Sequence, residues 1–122
     1  MAHSRLGLIS VHFGDVVLID FGVPVGSEAG FPRPAVLATA DSFLRYSPST
    51  VFVVPLTSTA RSFPSHVEIE ADSSNGLTAR SCALVEQMRA VAVERCSAPI
   101  GNVGAVAGRQ ILEVLAMIVG IA

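Results

Sequence analysis

A chain of 122 residues, 51% hydrophobic and only 15% charged, is sized for one domain with a single modest core, which excludes a disordered class. Its net charge of −2 excludes a globally basic nucleic-acid binder, although a local basic patch needs no basic chain. Two cysteines, Cys82 and Cys96, are too few for a zinc quartet or a disulfide framework, so both are expected to be buried and reduced, as in a cytoplasmic protein.

In chain order, residues 1–13 read as a loosely ordered extension ahead of a domain over 14–122. Residues 6–9 are too short an apolar run for a signal core. His3 and His12 stand apart from any cysteine or acidic cluster, so no metal site is expected from them. Gly14 then opens a series of short β-branched segments broken by turns, the pattern of a small barrel. The first strand is predicted over 15–21 and the second over 34–39. Asp41 is the expected cap of one helical turn over 41–46, and the next strand spans 50–57. Pro55 cannot donate to a ladder, so that strand must be an edge, bulge or end there. Thr57 is therefore expected at a sheet terminus, where a hydroxyl can face a ligand.

Residues 58–65 read as a long polar loop that contains Arg61. Over 66–70 apolar and polar residues alternate, which turns Val67 and Ile69 inward and sets His66, Glu68 and Glu70 in solvent. Asn75-Gly76 marks a turn. Residues 81–88 form another predicted strand, which resumes after a bend over 89–93, and 100–103 is a last short one. From Gly104 or Ala105 a helix carries Val106, Gln110, Ile111, Val114, Leu115 and Ile118 at helical spacing, with Asn102 as its best N-cap. Apolar residues occupy most of its circumference, too many for a helix with one side in water. The run 111–122 is too short to span a bilayer. The fold class expected is mainly β with a C-terminal helix.

The stretch joining the first two strands concentrates the chemistry. Gly26 and Gly30 permit backbone angles that a side chain would forbid, while Pro32 and Pro34 stiffen the exit. Ser27, Glu28 and Arg33 are then polar groups on a loop anchored to a sheet, where binding and catalytic groups often sit. The same residue types would equally serve a surface turn closed by an Arg–Glu pair. All eight cations are Arg and none is Lys, a bias that suits phosphate recognition but has its simpler source in a GC-rich genome.

Gly14-Asp15 opening a strand, Gly26-Ser27-Glu28, Arg33-Pro34-Ala35-Val36-Leu37, Val54-Pro55-Leu56-Thr57-Ser58 and Val85-Glu86-Gln87-Met88-Arg89 occur in one order over one small domain. In that order they resemble the MazF/PemK-type toxins, the endoribonuclease halves of type II toxin–antitoxin pairs. The resemblance runs from about Gly14 to the C-terminus. It implies a small SH3-like, PemK-type antiparallel β-barrel, and a sequence-specific, metal-independent endoribonuclease without cofactor. Such an enzyme cleaves single-stranded RNA to 2′,3′-cyclic phosphate and 5′-hydroxyl ends. A homodimer and a cognate MazE-like antitoxin are the implied partners, with no membrane.

Metal-free cleavage needs the 2′-hydroxyl held in line, a base for its proton, stabilisation of the phosphorane and a proton for the 5′-oxygen. On the resemblance, Arg33 takes the phosphate-stabilising role and Thr57 hydrogen-bonds the scissile phosphate. Glu28 is the candidate base or Arg-orienting group. Proton donation by Arg33 is the weakest step, because a guanidinium holds its proton too tightly to be a good acid. Ser27, Ser58, Glu86 and Gln87 match positions that line the RNA groove in relatives, and Arg61 is expected to help hold RNA phosphates. Phe31 is placed to stack on a base, a contact worth about 1–3 kcal/mol, or equally to staple its loop. Some relatives carry His where Ser27 stands and Arg where Leu84 stands, so no mechanism that needs either transfers here. Two alternatives remain: a binding toxin of the same fold acting on DNA gyrase, and a catalytically inactive relative.

Overall fold

The computed structural model describes residues 10–59 and 63–121. Among these the chain forms β1 (Asp15–Asp20), β2 (Pro32–Leu37), α1 (Asp41–Leu44), β3 (Thr50–Thr57), β4 (His66–Ile69), β5 (Ser81–Leu84), β6 (Arg89–Ala92), β7 (Gly101–Asn102) and α2 (Gly104–Val119). The strands make one curled antiparallel sheet in the order β4-β5-β3-β2-β1-β7, with β6 also paired to β3. The mainly β reading with one long C-terminal helix therefore holds.

The central strands are apolar on both faces, because the sheet curls between two cores. Val17, Ile19, Ala35, Leu37, Val51 and Val53 pack in one cluster with Val91 and Cys96. Their neighbours Val16, Val36, Val54 and Leu56 face the other cluster, with Val67, Ala83, Val85 and Ile111 of α2. Alternate residues of a strand point to opposite faces, so burial on both sides produces a continuous buried run such as Val53-Val54-Pro55-Leu56. At the outer strand β4 one face is solvated, and there Val67 and Ile69 alternate with exposed Glu68 and Glu70.

Four expectations need correction. β2 begins at Pro32, two residues earlier than predicted, because both prolines turn their missing N–H away from β1. Asp41 does not cap α1; Ala40 occupies that position, and Asp41 Oδ1 instead accepts the Phe13 N–H at 2.7 Å. The strand predicted over 81–88 stops at Leu84, and Val85–Gln87 tightens into a 3-10 turn before β6. His66 does not point into solvent: its side chain is only 5% exposed.

Asn102 does serve the start of α2, although Val103 is the half-in residue: its Oδ1 accepts the Gly104 N–H at 2.7 Å. At the other end Gly120, at φ 84°, closes a Schellman motif in which the Ile121 N–H bonds the Ala116 carbonyl and the Gly120 N–H bonds that of Met117. Val106, Leu112, Met117, Ile118 and Val119 of α2 are exposed. No helix among the described residues is long and apolar enough to cross a membrane. The extension expected over 1–13 lies outside the described residues as far as residue 9, His3 included. Of the remainder, the His12 N–H donates to Asp15 Oδ2 and Asn102 Nδ2 donates to the Phe13 carbonyl.

Candidate active site

Arg33 belongs to β2 rather than to the loop before it, and its surroundings follow from where prolines fall in the register. Ala35, Val36 and Leu37 pair with Pro55, Val54 and Val53. The Leu37 carbonyl accepts from Gly14 beside β1, so odd-numbered residues of β2 turn their peptide groups toward β1 and even-numbered ones toward β3. Pro34 therefore faces β3 at the position where the ladder would next bond Leu56. It has no N–H to give, and the ladder stops. The Leu56 carbonyl is left to the guanidinium of Arg33, whose Nη1 donates to it at 3.2 Å while Nε donates to the Gly30 carbonyl at 2.8 Å. Continuing the same register outward sets Arg33 across from Thr57.

Pro55 is accommodated by a related device. The Phe52 carbonyl accepts from Ala38, so even residues of β3 face β2 and odd ones face the opposite side. On that side β3 pairs with β6 up to Val53 and with β5 from Leu56, which leaves Pro55 at the split, where no ladder donor is required. The strand neither ends nor becomes an edge there; its partner changes.

Arg33, Thr57 and Ser58 line one depression of about 380 Å³, whose far wall is Leu77, Thr78, Ala79 and Ser81. That far wall was not singled out from sequence; nothing in a turn of this composition marks it. The Thr57 hydroxyl accepts the Thr59 N–H at 3.2 Å, which bends the chain out of β3. Arg33 forms no ion pair among the described residues, so two carbonyls, and not a carboxylate, orient it. The Arg–Glu closure of the turn is absent.

Glu28, Glu86 and Gln87 lie together in a second depression of about 460 Å³, beside Phe21, Pro55 and Arg89. The guanidinium carbon of Arg89 sits 5.6 Å from the Phe21 ring centroid, a cation–π contact that supplies this hollow with its cation. Glu28 and Val25 bond reciprocally: Glu28 Oε1 accepts the Val25 N–H at 2.9 Å, and the Val25 carbonyl accepts the Glu28 N–H. Gln87 clamps the same loop, with Oε1 accepting from the Ala29 N–H and Nε2 donating to the Ser27 carbonyl at 3.0 Å. Its amide is thus committed to loop backbone. At Gly30 an added Cβ would collide with the Pro24 ring, so glycine is required by close packing.

Phe31 is exposed at 56% and held at φ 60°, a left-handed conformation strained for an aromatic residue. Its N–H and carbonyl both bond the end of β1, at Gly22 and Phe21, which imposes that angle. Glu86 is anchored by His66, whose Nε2 lies 3.0 Å from Glu86 Oε2. Arg61, with Ala60 and Ser62, lies outside the described residues. Of the predicted residues, Arg33, Thr57 and Ser58 line one depression and Glu28, Glu86 and Gln87 the other, whereas Ser27 and Phe31 line neither.

Residues 12–119 match the model of the PemK-like, MazF-like toxin of type II toxin-antitoxin system. The chain is 36% identical over 107 residues to endoribonuclease MazF9 of Mycobacterium tuberculosis, covering 84% of this chain and 90% of that one. Over 78 residues it is 42% identical to endoribonuclease MazF of Staphylococcus saprophyticus, covering 62% and 63%. The solved MazF of Deinococcus radiodurans superposes with a TM-score of 0.74 at 20% identity, over 90% of this chain and 96% of that one. An endoribonuclease of a mycobacterial species, solved with its cognate antitoxin, superposes with a TM-score of 0.72 at 19% identity, over 93% and 98%. These structural likenesses speak for the fold, and the family model with the MazF9 identity for descent: the chain belongs to the PemK-like, MazF-like toxins of type II toxin–antitoxin systems.

Proposed function

We propose that this chain is a sequence-specific endoribonuclease that acts in the cytoplasm on single-stranded RNA without a metal, as the toxin of its pair. The observation that carries the reading is Arg33: a guanidinium held by two backbone carbonyls across from Thr57, beside an open depression, with no carboxylate to neutralise it among the described residues. Such a group is ready-made for a phosphorane, since its donors are oriented before the substrate arrives. Thr57 adds a neutral hydroxyl to the same phosphate. Glu28 faces the neighbouring hollow and takes the 2′-hydroxyl proton, with Glu86, Phe31 and Arg89 holding the flanking nucleotides.

Products are a 2′,3′-cyclic phosphate and a 5′-hydroxyl, because the nucleophile is the ribose itself. The test is purified protein with a long single-stranded RNA in EDTA, cut sites mapped by primer extension and ends typed by phosphatase and kinase treatment. Cutting at few sites with cyclic ends is expected. No cutting in EDTA with cutting restored by Mg²⁺, or 5′-phosphate ends, would refute the mechanism.

The exposed apolar residues of α2 support a homodimer, a second copy being the cover for Leu112, Met117 and Ile118. Sedimentation at low micromolar concentration should give a dimer; a fully active monomer would refute this. An antitoxin with an acidic, extended segment suits the same groove, because a site that holds phosphates by Arg33 and Arg89 also accepts carboxylates. Inhibition should be competitive, so an inhibitor titration unchanged at RNA far above KM would rule out a shared groove.

A further inference from the structure

His66 stands opposite Leu84 at the end of β4, which brings its ring beneath the 3-10 turn Val85–Gln87. The Phe63 ring covers it at a centroid distance of 5.5 Å. The imidazole is 5% exposed, yet among the described residues only one of its nitrogens has a hydrogen-bond partner. Nε2 lies 3.0 Å from Glu86 Oε2 and must carry the hydrogen, because a carboxylate only accepts. Nδ1 is buried with no hydrogen-bond partner among the described residues. A bare buried acceptor is destabilising, and an apolar ring at the same place would avoid it. What the imidazole adds is therefore the hold on Glu86.

Glu86 is 35% exposed and lines the larger depression, and its Oε1 makes no hydrogen bond among the described residues. Neighbouring Gln87 has both ends of its amide bonded to loop backbone, which fixes its side chain in place. Of this turn's two polar side chains, one shapes the loop and the other is left with a single fixed acceptor. We propose that His66 is a positioning residue for base recognition: it holds Glu86 so that Oε1 accepts an N–H from the Watson–Crick edge of one unstacked RNA base. This rests on the ribonuclease reading above and deepens it by assigning selectivity at one nucleotide. A glutamate fixed in advance loses less side-chain freedom on binding, and its free oxygen is aimed in one direction. Arg33 and Thr57 line the other depression, so the reacting phosphate is not the group His66 acts upon.

The experiment compares wild type, His66→Phe, His66→Gln and Glu86→Gln on one long single-stranded RNA, with cut sites mapped and kinetics measured on a short RNA containing the preferred site. His66→Phe keeps a packed ring but no donor, and His66→Gln restores an N–H near the Nε2 position. His66→Phe and Glu86→Gln should relax the base preference at the same single position and raise KM about tenfold, with kcat within about twofold. His66→Gln should recover the wild-type pattern. A folded His66→Phe protein with the wild-type pattern and KM overturns the inference while leaving the ribonuclease standing. Loss confined to kcat, or relaxation at a position different from that of Glu86→Gln, overturns it too. If His66→Phe does not fold, His66→Gln with a relaxed pattern despite a retained donor does the same. A wild-type protein that cuts no RNA overturns both readings.

Discussion

Restoring an N–H at position 34 should weaken catalysis while barely touching stability. In Pro34→Ala the Leu56 carbonyl, which now accepts only from Arg33 Nη1 at 3.2 Å, gains a backbone donor placed by the register, and the β2–β3 ladder lengthens by one bonded pair. That bond adds about 0.5–1.5 kcal/mol. Losing proline's restriction of the unfolded chain removes about 0.4–1 kcal/mol, and the displaced Arg33 contact removes about as much again. The net lies within about 1 kcal/mol of zero, a melting shift of no more than about 5 °C. Arg33 keeps only the Gly30 carbonyl, so its guanidinium swings about one bond instead of being fixed by two. A misplacement of about 1 Å can cost about 100-fold in rate, so kcat should fall about 10- to 100-fold. The control, Arg33→Ala, should lose about 10²–10³. Saturating RNA cleavage gives kcat, thermal melting gives stability, and amide exchange reports whether position 34 becomes protected. A protected amide at 34 with wild-type kcat would refute the claim that Leu56 orients Arg33. An unprotected amide would refute the register argument itself.

Three further outcomes follow from the geometry. Thr57→Ala should lower kcat less than Arg33→Ala, because a neutral hydroxyl gives a weaker bond than a cation, and Ser58→Ala less again; if Ser58→Ala is the crippled one, it is Ser58 that meets the phosphate. Phe31→Gly relieves a left-handed aromatic residue, so stability should hold or rise by up to about 1 kcal/mol while RNA binding weakens about tenfold, and unchanged binding would leave Phe31 a staple only. Burial pushes the Cys96 thiol from 9.0 up to about 11. The folded state thus holds its proton where the unfolded chain ionises, so this contribution to stability is complete below pH 9 and declines between pH 9 and 11. At pH 8 native Cys96 should carry about 100-fold less thiolate than an unperturbed thiol, and rapid alkylation of Cys96 in the folded protein would contradict it.

Much of the fold was legible because the apolar periods are strong. β3 has the predicted bounds, and α2 begins where the helical spacing begins. Errors cluster where a side chain serves a distant partner. Asp41 looked like a helix cap, but Phe13 takes its oxygen. His66 looked solvated because Glu68 and Glu70 on its face are, but the Phe63 ring, three residues back, and the Glu86 carboxylate, 20 residues on, lie against it. Arg33 was read as a loop residue because prolines flank it. Proline excludes a strand only where its N–H must donate, and here both prolines face the side on which the ladder has stopped.

That exception bears on how such a site is built. A catalytic guanidinium needs fixed acceptors, and a carboxylate partner would fix it at the cost of cancelling the charge that the phosphorane requires. A backbone carbonyl fixes it without a net charge, but in a sheet nearly every carbonyl is already bonded to its neighbour. Pro34 resolves the conflict by withholding one donor, which frees Leu56 for Arg33 at the last position of the ladder. The same logic runs through the adjoining hollow, where Gln87 and Glu28 Oε1 bond loop backbone while Glu86 and Arg89 line the hollow beside them. Substitutions that keep charge but change backbone bonding, Pro34→Ala foremost, should therefore separate catalysis from stability more cleanly than removing the charged groups themselves.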